Sequence, residues 1–331
     1  MFSKAYCRRG VSAAFALSLA TVLLGGAPAV ADNSYPAHPV RIIVPSAAGG
    51  GTDITARMIA QELTKSTGQS FFVENRPGAG QMIGITSVAQ SNPDGLTLLM
   101  AASTLAINPV MYKKLSYDVF TDFIPVTQVV SLPNLLVVNA RVPAKTLAEF
   151  IDLAKKNPGK LTYASAGIGT SPHMSMELLK SLAGIDIMHV PYKGTTPGVN
   201  DLLAGTVDAM MVNVMTAAPH IEAGTLRVLG VTGRERLPSF PAVAPIAEQG
   251  LPDYEALNWY GLLVPAKTPA AIVQKLHRAV SDVLRREEVK KHLLIDGALP
   301  VGNTPDQFAA RIKADIDKWA AIAKIAGIKP N

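Results

Sequence analysis

The sequence predicts a two-lobed α/β protein, each lobe a mainly parallel sheet flanked by helices, with a ligand cleft between the lobes. Three observations predict it. Strand and helix patterns alternate in two successive blocks of the 331-residue chain. Each block holds a Gly-rich turn between an apolar strand and a helix start. Two extended segments, 123–138 and 254–265, are placed where the chain would cross between blocks.

In the first block, Val40 to Val44 reads as a buried strand, and Ile54 to Thr67 as a helix stopped by Gly68. Phe71 to Glu74 reads as a second strand, Gly80 to Gln90 as a helix closed by Asn92-Pro93-Asp94-Gly95, and Leu96 to Ala101 as a third strand. Such a β-α-β-α-β run builds a parallel sheet. In the second block, Thr146-Leu147-Ala148-Glu149 is a capping box opening a helix to about Lys156. The strand Leu161 to Ala164 follows, then a helix from Ser171-Pro172 to about Ala183. Ile187 to Val190, Gly198 to Ala204 and Ala209 to Asn213 continue the alternation as strand, helix and strand. Helices over 269–286 and 305–326 close the chain, the latter capped by Thr304-Pro305-Asp306-Gln307, and both are expected on the first lobe. The Pro-rich stretch Pro238 to Pro245 is too short for a linker and reads as a surface loop. The organisation expected is a leader over 1–31, a first lobe over 32–129, a second over 130–256, and a return to the first over 257–331.

The leader has the marks of a secretory signal. Lys4, Arg8 and Arg9 precede the apolar run Val11 to Leu24, and Ala29-Val30-Ala31 supplies small residues for cleavage after Ala31. The run is about fourteen residues, short of the roughly twenty that span a bilayer. Arg8-Arg9 leaves a twin-arginine route open beside the general one. Cys7, the single cysteine, leaves with the leader, so thiolate metal sites and cysteine nucleophiles are excluded. The net charge of +6 falls to +3, because three bases and no acids are removed. That mild balance, with two tryptophans and few other aromatics, predicts no nucleic-acid face.

The most informative stretch is Val44-Pro45-Ser46-Ala47-Ala48-Gly49-Gly50-Gly51-Thr52-Asp53. Small residues let successive backbone N–H groups converge, and the helix start adds its positive dipole end, so the turn suits a carboxylate or phosphate. A nucleotide loop would need Gly-Lys-Ser/Thr, and no lysine is present. Gly78-Ala79-Gly80-Gln81-Met82-Ile83-Gly84 opens a helix after a strand but misses dinucleotide spacing, because its third glycine is one place late. No cofactor is expected.

The second turn, Ser165-Ala166-Gly167-Ile168-Gly169-Thr170-Ser171-Pro172-His173, mirrors the first. Hydroxyls of Ser165, Thr170 and Ser171 with backbone donors near Ala166 and Gly169 suit a second anionic or polar group, and His173 at a positive helix end prefers its neutral form. A hydrolase built on Ser165 to His173 is the enzymatic alternative, although the turn lacks Gly-x-Ser-x-Gly. Ser103 and Thr104 end the third strand, where an open parallel sheet presents its ligand edge. Asn213 ends another strand, Asp208 begins it, and Tyr192-Lys193 follows a third. Asp53 suits either helix capping or a ligand amine or hydroxyl. Six scattered histidines have no metal-ligand spacing, so no metal is expected.

Several phrases together resemble the Bordetella uptake gene family, the extracytoplasmic receptors of tripartite tricarboxylate transporters. They are Tyr35-Pro36 with Pro39-Val40-Arg41, Val44-Pro45 with Gly49-Gly50-Gly51-Thr52-Asp53, Glu74-Asn75-Arg76-Pro77-Gly78-Ala79-Gly80, His189-Val190-Pro191-Tyr192-Lys193-Gly194, and Gly205-x-Val207-Asp208. The resemblance spans essentially the whole chain after the leader. It implies a type II periplasmic-binding fold that captures a small organic carboxylate by lobe closure, holding it with the two Gly-rich turns and ordered water. It also implies a periplasmic protein, not itself membrane-embedded, that serves a two-component membrane transporter or a signalling partner. Family members often carry Pro-Gly-Gly or an aromatic in the first turn. Ser46-Ala47-Ala48 here implies room for a bulkier ligand.

Overall fold

The computed structural model describes residues 35–325, 328 and 330; the leader and its cleavage site lie outside the described residues. The first block forms β1 (Val40–Val44), α1 (Gly51–Thr67), β2 (Phe71–Asn75), α2 (Met82–Ala89), β3 (Thr97–Ala102) and α3 (Thr104–Met111). A long strand, β4 (Phe123–Asn139), leads to α4 (Leu147–Lys156), β5 (Thr162–Ser165), α5 (Ser171–Ala183), β6 (Met188–Pro191), α6 (Thr195–Ala204), β7 (Ala209–Asn213), α7 (Val214–Glu222) and β8 (Leu226–Val231). The chain then returns through β9 (Leu257–Pro265) to α8 (Ala270–Arg285), α9 (Glu287–Ile295), β10 (Leu299–Pro300) and α10 (Pro305–Ile325).

Strand order is β2-β1-β3-β9-β4-β7-β5-β6, with β10 and β8 also pairing with β4. The β1–β2, β1–β3, β5–β6 and β5–β7 pairs are parallel, as strand-helix alternation requires. β4 joins the lobes. It runs antiparallel to β9 from Phe123 to Pro133, then antiparallel to β7 from Asn134 onward. Pro125 sits at one of two register shifts in the β4–β9 ladder, where its missing N–H costs no regular bond.

Both faces of each half-sheet are covered. Ile42, Val44, Ile59, Leu98 and Val280 fill one side of the first lobe, and Ile43, Leu99, Leu105, Trp259 and Phe308 fill the other. In the second lobe Leu136, Phe150, Tyr163 and Met211 lie on one face, and Leu135, Val199, Leu202 and Met210 on the other. This double burial is why the strands read as continuous apolar runs. α8 packs with β1 and β3 through Val273, Leu276 and Val280, whereas α10 spans two cores: Phe308 and Ile312 pack with Ile43 and Leu99, and Trp319 and Ile322 with Leu136 and Phe150.

The caps explain several boundaries. Gly68 ends α1 in the left-handed region with its N–H on Thr64 O. Thr304 N donates to Gln307 Oε1 and Gln307 N to Thr304 Oγ1, a complete capping box at α10. At α4, Thr146 Oγ1 accepts from Glu149 N, but Glu149 reaches back one residue further, to Lys145 N.

Candidate functional site

The first turn is held from behind by Asp53. Its carboxylate accepts from Gly49 N at 2.9 Å, from Arg57 Nε at 3.0 Å and from Asn75 Nδ2 at 2.9 Å, and Asn75 also donates to Ser46 O. Burial pushes the carboxyl up, but Arg57, the Gly49 N–H and the Asn75 amide outweigh it and hold the group below the usual carboxylate range. Asp53 therefore braces the turn. We expect Asp53→Asn to loosen residues 46–50 and to flatten the loss of stability that the wild type shows as pH falls through the depressed pKa, a difference readable in melts from pH 6 to 3.

The two Gly-rich turns face each other across a cavity of about 30 Å³, room for little more than a water or two. The first lobe contributes Ser46, Thr52, Gln81, Thr104, Asn258 and Tyr260; the second contributes Asn134, Ala166, Thr170, Ser171, Thr195 and Asn213. The lobes touch around it. Thr196 Oγ1 donates to Ala48 O at 2.7 Å, and Tyr112 reaches Ile168 O at 3.4 Å.

Five helices begin at this cavity. Thr52, Thr104, Ser171 and Thr195 lie in the first turns of α1, α3, α5 and α6, and Asn213 caps α7 by accepting from Thr216 N. All sit beyond the carboxyl ends of strands, where open α/β sheets bind ligands. No charged side chain lines the cavity. Its potential is set by the positive helix ends and neutral donors. Asn258 Oδ1 is saturated by Ser103 N, Ser103 Oγ and Trp259 N, and Asn213 Oδ1 by Thr216 N and Oγ1, so both residues have their amide N–H groups left for the cavity. Ser46 Oγ and Gln81 Oε1 are buried without a protein partner. Burial raises the Tyr260 hydroxyl pKa, so it stays neutral.

Of the residues expected to bind, Ser46, Thr104, Ala166, Thr170 and Asn213 line this cavity. Ala47, Ala48, Gly49 and Gly50 form the body of the turn and meet the second lobe through Gly194, Thr195 and Thr196. Ser103 is fully buried behind Asn258. Asp208 lies at the opposite end of β7, occupied by Thr162 N and Oγ1, because it precedes the strand whose carboxyl end carries the site. Tyr192 gives its hydroxyl to Asp201 and lines an adjoining cavity. Gln81, Asn258, Tyr260 and Asn134 were not expected.

Ser165, Gly169 and His173 support the second turn from beneath. Ser165 is fully buried, its Oγ within 3.1 Å of Gly167 and 2.6 Å from His189 Nε2. His173 Nδ1 accepts from Gly169 N at 3.2 Å, and its ring stacks on His189 with centroids 4.2 Å apart. The Ser165–His173 pair a hydrolase would need is not formed; His189 takes the serine. Burial, then Lys180, lowers His173 to about 4; burial, then His173, lowers His189 to about 3, although Glu177 opposes this. His173 is neutral as expected, chiefly through burial. Both folded values lie below the unfolded 6.5, so the unfolded chain binds more protons in acid. Their stabilisation is full above about pH 7 and drains away as pH falls from 6.5 towards 4 and 3. We expect the melting temperature to drop steadily from pH 7 to 5, and His189→Phe to make that drop shallower.

A larger groove of about 420 Å³ lies at the lobe junction, lined by Leu132, Pro133, Leu237, Leu257 and Leu294 among others. It lacks the converging helix ends. Among the described residues no His, Cys, Asp and Glu grouping fits a metal, and no helix is long and apolar enough to cross a membrane.

Two lobes joined by a continuous strand, closing on a polar cavity at the carboxyl ends of their strands, define a solute-binding protein of the periplasmic-binding fold. Residues 55–328 match the family described as tripartite tricarboxylate transporter family receptor. The chain belongs to that family, and it is a binding receptor, not an enzyme. It is 36% identical to protein BugT of Bordetella pertussis over 307 residues, 92% of this chain and 94% of that one. Among solved structures it is similar to Rhodopseudomonas palustris Rpa4515, solved with adipate, at a TM-score of 0.88 and 36% identity over 90% of this chain and 100% of that one. MatC of the same organism, with bound malate, gives 0.81 and 34% over 87% and 99%.

Proposed function

We propose that the protein is a periplasmic receptor that captures a small organic carboxylate between its lobes and delivers it to a tripartite tricarboxylate-type membrane transporter. The observation that carries this reading is the convergence of five helix N-termini, drawn from both lobes, on a cavity without a charged side chain. Such a site attracts an anion through dipoles that need no counter-ion. Ser46, Gln81 and Thr104 on one side, with Ala166, Thr170 and Asn213 on the other, hold the carboxylate. Family membership and the adipate and malate bound by relatives support the ligand class.

In this account the lobes comprise residues 32–129 with 257–331, and residues 130–256, and they hinge at the β4 and β9 crossings. Ligand gains both half-sites only on closure, so it shifts the population towards a closed form that the transporter distinguishes. Export ends with cleavage after Ala31.

A thermal-shift screen of Asp32 to Asn331, refolded to strip carried-over ligand, tests the reading. The panel spans aliphatic and aromatic mono-, di- and tricarboxylates with nucleotides as controls. Ligand at about 100 times its dissociation constant stabilises by roughly 2.7 kcal/mol. A selective shift with one carboxylate class supports the receptor; a shift with nucleotides alone sinks it.

A further inference from the structure

We propose that Thr196 and Tyr112 form a reciprocal latch, in which a hydroxyl from each lobe grips a carbonyl of the other lobe's Gly-rich turn and holds a fraction of the ligand-free receptor closed. The latch rests on the receptor reading only for the hinge between the lobes. Thr196, near the start of α6, donates to Ala48 O of the first Gly-rich turn at 2.7 Å. Tyr112, at the end of α3, donates to Ile168 O of the second at 3.4 Å. Neither side chain lines the cavity between the turns, so a ligand seated there touches neither. Both bonds join protein groups alone and act before any ligand arrives.

Glycine makes both reaches possible. A Cβ on Gly49, whose φ is 79°, would lie 3.2 Å from Thr196 Oγ1. A Cβ on Gly80, with φ of 61°, would collide with the Tyr112 hydroxyl, so a bare Cα lets the ring cross to Ile168. α3 gives Tyr112 a fixed base. Its Asn108 is fully buried and donates to Gly80 O at 3.1 Å and to the Tyr117 hydroxyl at 3.0 Å. The second turn seats on the same helix so closely that a Cβ on Gly169 would lie 3.0 Å from Asn108 Oδ1. The strength of the latch keeps it reversible. Two neutral hydrogen bonds, each about fivefold in an equilibrium, bias closure by about 25-fold. Moving the lobes from almost fully open to almost fully closed takes about 10⁴-fold, so the ligand must supply the rest.

Pulsed electron-spin distance measurements on the ligand-free receptor, Asp32 to Asn331, provide the test. The single cysteine, Cys7, lies in the leader, so labels can be placed on Gln90→Cys, just past α2 in one lobe, and Asn200→Cys, on α6 in the other, both exposed positions. The wild type should show a closed and an open distance. Thr196→Val and Tyr112→Phe keep the shape of each side chain and remove its hydroxyl. Each should raise the open-to-closed ratio by about two- to fivefold, and the double variant by the product of the two. Cooperative melts check that the variants are folded. An unchanged ratio in either variant, or a wild type without a closed fraction, would overturn the latch. Carboxylate capture is untouched by either result, because no ligand is present.

Discussion

Gly194→Ala should lower carboxylate affinity by about 100-fold while leaving the ligand-free protein folded. A Cβ at Gly194 would lie 2.7 Å from Ala47 Cβ and 2.9 Å from Ala47 N, and backbone cannot swing aside as a flexible side chain does. The contact joins the α6 start in one lobe to the first turn in the other, so the relief available is separation of the lobes. Its φ of 150° adds strain of order 1 kcal/mol for any residue with a Cβ. Parting the turns removes one half-site from the ligand. Two charge-assisted hydrogen bonds at about 1.5 kcal/mol each give the hundredfold loss. Titration of both proteins with the preferred acid reads the affinity, and a melt without ligand reads the fold. Unchanged affinity would show that binding does not require closure.

The largest expected effect on stability comes from Gly261→Ala. The added Cβ would meet Phe308 Cζ at 2.2 Å, and Phe308 is fully buried. Its ring stands edge-on to Trp259 at 5.0 Å and 89°, and Trp259 Nε1 donates to buried Asp315 at 2.6 Å. Moving Phe308 disturbs both. Overpacking of this kind costs about 1–3 kcal/mol. A loss near the upper end corresponds to a fall in melting temperature of roughly 5 °C, at about 2.1 cal/mol/K of unfolding entropy per residue over about 300 residues. Phe308→Leu in the same chain should restore part of the loss, a coupling that a double-mutant cycle measures. Additive effects would mean the two residues do not compete for space.

Much of this could be read before folding, for reasons particular to each element. α5 and β7 have the expected bounds, Ser171–Ala183 and Ala209–Asn213, because Ser-Pro opens the one and an apolar run defines the other. α3 was hidden by Pro109, which sits inside the helix and reads as a breaker. α7 carries Pro219 in the same way. The cavity was half legible. Glycines and hydroxyls at strand ends pointed to Ser46, Thr104, Thr170 and Asn213. Asn258 and Tyr260 lie within a strand, and only the pairing of Ala102 with Tyr260 brings them to the site. Asn134 arrives likewise, by its register with Asn213. Gln81 looked like part of a tight turn; its left-handed backbone, invisible in sequence, aims it inward. Asp208, attractive as an acid near a site strand, lies at the wrong end of it.

The most direct test of the central claim is a crystal structure of the receptor grown with the carboxylate that stabilises it most. A carboxylate should lie between the two Gly-rich turns, within hydrogen-bond distance, directly or through one ordered water, of Ser46 Oγ on one lobe and of Thr170 or Asn213 on the other. A ligand seated instead in the apolar groove by Leu132 and Leu257, or touching one lobe only, would contradict it.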